Sequence, residues 1–480
     1  TDVLYNNINN SIYSGTFPNK LKIADVTPIY KTNGRNDKEN YRPISILPSI
    51  SKIYEKILCR QLHAYFETFL SYLQCGFRKG FSSQHCMLAM IEKLKASLDK
   101  KGCTGILLTD LSKAFDCVCH ELLIAKLNAY GLSYNALLLI NSYFENRYQR
   151  VRVNSSYSKW SQIKSGVPQG PILGPLGFNV DPIDLFFELS EDLASYADDN
   201  TPYACDEDIG SVITKLENEA HILLIWLKNN YFKANPDKFH LLLNVTDPNL
   251  SVHIDGFDIQ NTQEAKLLGV TINGDLSFEN HVSKLCKNAS QKVHAFARIS
   301  NYMDTGRKRQ IMKAFIESSF GYCPLVWMFH SRSLNTRINR IHERALRIVY
   351  NDELSTFKEL LEKDNSFTIH ERNIQTMAME IYKVVHGLSP EIMKSVFPIR
   401  IHNRYNSNQI FQTRNVRTVH YGINSLAHLG PKIWSIIPEQ IKSESCFENF
   451  KRKIKRWRPS ACPCKLCKIY LQRIGYIETT

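Results

Sequence analysis

Residues 104–116 read Thr104-Gly105-Ile106-Leu107-Leu108-Thr109-Asp110-Leu111-Ser112-Lys113-Ala114-Phe115-Asp116. Residues 193–204 read Leu193-Ala194-Ser195-Tyr196-Ala197-Asp198-Asp199-Asn200-Thr201-Pro202-Tyr203-Ala204. In the first stretch a short apolar run over 105–111 is closed by Asp110 and reads as a buried strand. In the second, 193–197 and 201–204 read as strands around a tight Asp198-Asp199-Asn200 turn. Either feature alone is common, since Asp favours turns in any protein. Together they place an acid at a strand end against an acidic pair on a hairpin. Acids from neighbouring strands can converge on two divalent ions about 3.5–4 Å apart, the arrangement that nucleotidyl transfer uses. Mg²⁺ is a hard ion that prefers oxygen ligands, which carboxylates supply.

Helical spacing of apolar residues surrounds this pair. It predicts helices over 51–70 (Ile53, Ile57, Leu58, Leu62, Phe66), 84–100, 120–129 and 132–146, with Gly131 as a C-cap between the last two. A long amphipathic helix is expected over 209–229 and strands over 238–245 and 266–272. Residues 150–153 and 160–163 alternate like a hairpin. From about residue 277 the pattern turns helical and basic, and near residue 390 Gly, Pro and Ser become frequent. These shifts divide the chain into 1–276, 277–390 and 391–480.

The chain has 480 residues, and 60 Lys and Arg against 46 Asp and Glu leave a formal net charge of +14. The composition is globular, no apolar run is long enough for a membrane span, and the start lacks a secretory pattern. Scattered cysteines without even spacing read as reduced intracellular thiols. The charge is concentrated. Residues 284–347 hold thirteen Lys and Arg against Asp304, Glu317 and Glu343, a net of +10. Residues 401–480 hold fourteen against Glu439, Glu444, Glu448 and Glu478, again +10, so the remainder carries −6. An anionic partner, nucleic acid ahead of a membrane surface, is expected at the two basic windows.

In the first window Arg337, Arg340, Arg344 and Arg347 recur at helical spacing, one residue off an Ile338, Ile341, Ala345 and Ile348 stripe. That helix would bury its Ile face and offer its Arg face to duplex phosphates, or simply to solvent. In the second, Lys451-Arg452-Lys453 lead to Trp457, suiting phosphate contact with base stacking, or nuclear import. Cys462, Cys464 and Cys467 follow and are candidate zinc thiolates. A structural zinc needs a fourth ligand, for which Cys446, His428 and His420 are equal candidates.

Seven motifs in order make the chain resemble the reverse transcriptases of non-LTR, LINE-type and jockey-like retrotransposons. They are Asn40-Tyr41-Arg42-Pro43-Ile44-Ser45, Gly76-Phe77-Arg78-Lys79-Gly80, residues 110–116, Ser165-Gly166-Val167-Pro168-Gln169-Gly170, residues 196–199, Asn235-Pro236-Asp237-Lys238 and Leu267-Leu268-Gly269-Val270. Arg414-Asn415-Val416-Arg417 and Gly430-Pro431-Lys432-Ile433-Trp434 resemble the C-terminal region of such elements.

The resemblance implies a right-hand polymerase: α/β fingers and palm with an antiparallel sheet over 1–276, a helical thumb over 277–390, and a mixed basic C-terminal region over 391–480. It implies DNA synthesis on an RNA template from dNTPs, primed by a target-DNA 3′-hydroxyl. Asp110, Asp198, Asp199 and the carbonyl of Leu111 would hold two Mg²⁺ ions, and Lys238 would serve as general acid. Phe115 would gate the ribose 2′-hydroxyl, or else be a core ring at a strand–helix junction. Gln169 and Gly170 would lie against the nucleotide and template, and Arg42, Arg78 and Lys79 against the triphosphate, Arg78 ahead of Arg42. Leu268-Gly269 would form the primer grip. An endonuclease region, a cytoplasmic ribonucleoprotein and a nuclear site of action are expected in the full element.

The chain departs from the family after Gly170. Pro171 replaces Ser, Gly177 a large apolar residue, and Asp181-Pro182 falls where a helix should continue. A kink there is expected to shift the Gln169 loop and impair polymerisation. The alternative is then a decayed or repurposed binding protein without catalysis. An RNA-dependent RNA polymerase is a third reading, disfavoured by Phe115 and Ala197.

Overall fold

The computed structural model describes residues 2–31, 34–111, 113–189, 192–400, 410–412, 414–459, 462–464 and 466. Its strands are β1 (Ile23–Tyr30), β2 (Tyr41–Ile46), β3 (Cys103–Leu108), β4 (Tyr148–Val153), β5 (Ser156–Tyr157), β6 (Ser161–Gln162), β7 (Asp192–Tyr196), β8 (Asp199–Asp206) and β9 (His240–Leu243). Two hairpins follow, β10 (Ser251–Ile254) with β11 (Phe257–Gln260), and β12 (Glu264–Leu267) with β13 (Val270–Asn273).

The central sheet has order β7-β8-β3-β9 and is antiparallel throughout. Successive residues of a strand face opposite sides, and both sides here are covered. Ile106, Leu108, Ala194, Tyr203 and Leu242 join one core with the helix Ser83–Asp99 and the later helices. Leu107, Leu193, Ala204, Leu241 and Leu243 join another with the helix Ile209–Asn229. That double burial is why residues 105–108 are apolar without alternation; each such Leu or Ile contributes about 1.5–3 kcal/mol over exposure. A second sheet, β2-β1-β4-β5 with β6 also on β4, carries residues 40–46. The expected hairpin is therefore a β4 strand that receives both β5 and β6.

After Asn273 the chain is mostly helical, beginning with Glu279–Ser300. None of the helices among the described residues is long and apolar enough to cross a membrane. Residues beyond 390 pack into the same core as the helices before them, through Phe397, Leu426, Trp434, Phe450 and Ile454. Two buried carboxylates, seven residues apart on Ser83–Asp99, dock this segment. Asp99 accepts from the backbone N–H groups of Arg417 and Thr418 and from the Thr418 hydroxyl. Glu92 accepts from Leu426 N (3.0 Å) and Ala427 N (3.1 Å). The latter pair is an anion satisfying the free N–H groups that begin the helix Leu426–Ile436.

The helix breaks where Asp181-Pro182 leads one to expect a kink, ending at Val180. It continues as a tight turn over Asp181–Ile183, with Pro182 at φ −89°, ψ 18°. The break falls at the end remote from Gln169, roughly 12 Å along the axis. The near end is pinned: buried Glu55 accepts from Ile172 N (2.7 Å) and Leu173 N (3.2 Å).

Candidate active site

Register aligns the acids. β3 pairs β8 with Ile106 opposite Tyr203, and pairs β9 with Leu108 opposite His240. Continued past the last pair, the β8 register brings Asp110 beside Asp199, and Thr109 donates its hydroxyl to Asn200 O (2.5 Å) along it. On the β9 side the pairing slips by three residues: Asn235 N donates to Asp110 O (3.1 Å) and Leu111 bridges Ala234. Lys238 Nζ lies 3.4 Å from Asp110 Oδ2, both side chains open to solvent. Lys238 itself sits in the short turn Pro236–Lys238 ahead of β9 rather than in a strand.

The acidic hairpin turns one step earlier than its sequence suggests. Tyr196 pairs with Asp199, so Ala197-Asp198 is the loop and Asp199 and Asn200 open β8. Ala197 takes φ +58°, a left-handed value that few residues with a Cβ adopt. Neighbouring backbone holds it there. Cys75 N donates to Ser195 O (3.0 Å), and a Cβ added at Gly76 would sit 2.3 Å from Ala197 N. Only glycine lets the 74–76 segment press that closely on the turn.

Asp198 is consequently exposed at the tip, and Asp199 is half-buried beside β3. Burial first, then the charges of Asp198 and Asp110, push the Asp199 carboxyl up to about 6. Among the described residues no three acidic, His or Cys side chains close into a ready coordination cage. The three carboxylates still interact repulsively, and a bound cation would relieve that repulsion. An all-oxygen donor set fits a hard divalent ion. Lys31 at the end of β1 is the cation whose charge opposes the shift on Asp199. Sequence reading missed it; its signal is a lysine at the end of the strand that pairs with the 40–46 motif.

The 165–170 loop joins the other motifs. Gly166 N donates to Val118 O and Val167 N to Phe115 O, both at 2.7 Å. Gly166, at φ +83°, has no room for a Cβ, which would sit 2.6 Å from Asp116 Cα. At the loop's other end Ser45 N donates to Gln169 O (2.7 Å), and a Cβ on Gly170 would lie 2.5 Å from Ser45 O. Gln169 is thus tied to β2 at the end of the loop remote from Pro182. Phe115 is half-buried, stacked on Phe178 (4.3 Å, 12°) and edge-on to Phe77 (5.8 Å).

Arg78 does not face the cleft. Its buried guanidinium donates to Ser71 O, Gln74 O and the Glu67 carboxylate, over the Phe81 ring. It braces the segment behind the acidic hairpin, which corrects its expected triphosphate role. Arg42 and Lys79 are exposed. Leu268 and Gly269 form a tight turn with both φ positive, held by Tyr322, whose hydroxyl donates to Leu268 O (2.6 Å).

On the helix Arg332–Tyr350 the Ile338, Ile341 and Ala345 face is buried, and Arg337, Arg340 and Arg344 are exposed. Arg347 instead turns to Glu343 and to the carbonyls that follow the helix. On the helix Phe447–Ile454, Lys451 pairs with Glu448, Arg452 with Asn449, and Lys453 with Glu444. Trp457 packs against the core rather than standing free. Cys462 and Cys464 are buried, while Cys467 lies outside the described residues. Of the suggested fourth ligands, His420 bonds Asp275 O, His428 bonds Lys432 and Cys446 is exposed.

A profile of the family described as "Reverse transcriptase (RNA-dependent DNA polymerase)" matches residues 29–272. The chain is 28% identical over 355 residues to the "Probable RNA-directed DNA polymerase from transposon BS" of Drosophila melanogaster, covering 69% of this chain and 39% of that protein. It is 27% identical over 368 residues to the corresponding X-element protein (72% and 40%). It is 28% identical over 358 residues to the "RNA-directed DNA polymerase from mobile element jockey" (69% and 38%), both of the same organism. The matches thus span about two-fifths of the length of these relatives. A solved apo telomerase from Candida tropicalis gives a TM-score of 0.41 at 12% identity, covering 82% and 66% of the two chains, too loose to speak for the fold.

Proposed function

The chain belongs to the reverse transcriptase family, and from that premise we propose that it is the polymerase part of a non-LTR retrotransposon protein. It would extend a DNA 3′-hydroxyl on an RNA template. The observation that carries this is the meeting of Asp110, just past β3, with Asp199 at the start of β8 and with Lys238 Nζ, 3.4 Å away in the turn ahead of β9, with Asp198 at the hairpin tip beside them.

The family generally uses divalent metal ions, and we assign Mg²⁺ as the ion, two per site. Asp110, Asp198 and Asp199 would hold it, with the Leu111 carbonyl at the edge. When bound, the metal lowers the pKa of the attacking hydroxyl and neutralises charge on the triphosphate. The chain's own residues do the rest. Lys238, whose Nζ lies near Asp110, would give a proton to the departing pyrophosphate. Phe115, packed on Phe178 and Phe77, would stand against a ribose 2′-hydroxyl. The Gln169-Gly170 backbone, held on β2, positions the incoming base. With Arg78 spent internally, triphosphate contact falls to Lys31, Lys79 and Arg42. The exposed Arg337, Arg340 and Arg344 face, with Lys451, Arg452 and Lys453, would track template and primer phosphates.

Zinc is our assignment for the 462–467 cysteines. An endonuclease elsewhere in the element, and action in a cytoplasmic ribonucleoprotein and then the nucleus, belong to the same proposal. The binding-only reading keeps one observation in its favour, the helix break at Pro182. Extension of a DNA primer on an RNA template with Mg²⁺ separates the two readings. Wild type should incorporate dNTPs and Asp198→Ala should not. Equal incorporation would reject the site, and no product from either would favour the binding reading.

A further inference from the structure

Between the start of the helix Ser83–Asp99, the segment 313–324 and the first turns of the helix Ile369–Val385 lies an open cavity of ≈ 580 Å³. That is the size of an ordinary ligand site, roughly 300–1,000 Å³. At the head of the first helix Ser82 satisfies His85 N and Cys86 N. The N–H groups of Ser83 and Gln84, both residues of the cavity wall, have no acceptor among the described residues. Free N–H groups at the positive end of a 17-residue helix attract an anion.

A helix start alone would not make a site. The helix Ile369–Val385 brings a second, independent observation to the same wall. Asn373 lines the cavity at 4% exposure, and its side-chain Nδ2 is buried without a partner among the described residues. Buried polar atoms almost always find partners, so this amide marks a wall missing its occupant. Charge points the same way. Lys313 is exposed on the one-turn π segment Met312–Ile316 and has no carboxylate partner among the described residues. Glu317 is the only acid lining the cavity among the described residues, and it is already neutralised. Arg372 grips both of its oxygens, and His342 Nε2 lies 3.1 Å from one of them. Despite burial, those bonds hold its carboxyl down at about 2.

Two free N–H groups, an ammonium and an amide donor suit a group that only accepts hydrogen bonds and carries negative charge. Tyr322 is both a wall of this cavity and the support of the Leu268–Gly269 turn. Its hydroxyl donates to Leu268 O and lies 3.1 Å from Ser83 Oγ. We propose that the cavity binds a phosphate group, held by Lys313, the Asn373 amide and the N–H groups of Ser83 and Gln84. Its place beside the Leu268–Gly269 turn favours a nucleic-acid backbone phosphate over a free one. The site stands without the polymerase reading; the backbone source rests on it.

The test uses the full chain and two variants. Asn373→Leu replaces an unpartnered amide by an apolar group of similar size, so it should unfold at or above the wild-type temperature. A lower unfolding temperature would show the amide to be bonded within the chain and would overturn its assignment. Lys313→Gln changes only an exposed side chain. Isothermal titration with inorganic phosphate at constant ionic strength should show binding weakened about 5–10-fold in each variant. Ethylation interference on the DNA strand of a DNA–RNA duplex separates the sources. On wild type, ethylating one backbone phosphate should block binding, and both variants should be indifferent to that position. An identical ethylation pattern in all three proteins, with phosphate titration still weakened, would assign the cavity to free phosphate. Equal phosphate affinity and an identical ethylation pattern would overturn the site. Neither arm reads nucleotide incorporation, so a chain that fails to extend a primer would count against the polymerase reading alone.

Discussion

The palm row and the basic helix face solve opposite electrostatic problems. At the row, like charges are forced together by strand register, and Asp199 is pushed up to about 6 by burial and two neighbouring acids. On Arg332–Tyr350, like charges are spread along an exposed face, and the one arginine near the helix end is neutralised by Glu343 and free carbonyls. The first arrangement stores a demand for a cation at one point. The second offers diffuse attraction that salt screens. Chemistry should therefore be lost all at once at the row, and grip should be lost by degrees on the helix.

The sharpest way to break this contrast is to swap the readouts. Asp198→Ala should reduce incorporation by at least about 10²–10³-fold while leaving duplex affinity nearly unchanged. Replacing Arg337, Arg340 and Arg344 by Ala should weaken duplex binding about 10–100-fold and lower the salt slope by about three, with near-normal incorporation at saturation. Filter binding across a salt series, with primer extension on the same preparations, checks both. Next in size is Phe115→Ala, expected to cut the preference for dNTP over rNTP about 10–100-fold in single-nucleotide extension.

The contrast also explains what was legible. Helices such as Ile209–Asn229 and the strand ahead of Asp110 follow from periodicity, and the acids from their order along the chain. The exact turn was not legible, because Ala197 is held left-handed by Gly76, 121 residues earlier. Arg78 looked like a surface cation because nothing local shows Glu67 and two carbonyls waiting for it. The docking of the C-terminal segment by Glu92 and Asp99 is likewise a long-range pairing without a local pattern.

Two smaller effects concern the palm helix that departs from the family. Asp181 is buried beside Lys126, and burial pushes its carboxyl up to about 6 despite that lysine. Its folded pKa thus exceeds the unfolded value near 3.9. Its stabilising contribution is complete below about pH 4 and is lost as pH rises through 6. Asp181→Asn should then stabilise the protein by about 1–3 kcal/mol at pH 7.5, and by much less at pH 4, in urea melts at the two values. The partial pairing of Lys126 with Asp184 should limit the offset.

Gly177 borders an apolar cavity of ≈ 40 Å³ with Leu58, Leu62 and Leu123. A Cβ there would lie 3.6 Å from Leu123 Cδ2 and 3.7 Å from Val167 Cγ1, ordinary contact distances. Gly177→Ala should stabilise by about 1 kcal/mol in the same melts. Primer extension should be unchanged, since the Gln169 loop is held by Ser45.

The most direct measurement is single-turnover addition of one dNTP to a DNA primer on an RNA template, comparing wild type with Asp110→Asn. Asp110 is the member of the row that lies beside both Asp199 and Lys238. The account predicts a burst from wild type, and from Asp110→Asn a rate lower by at least about 10²–10³-fold at equal primer–template occupancy. Equal rates from the two proteins would contradict it.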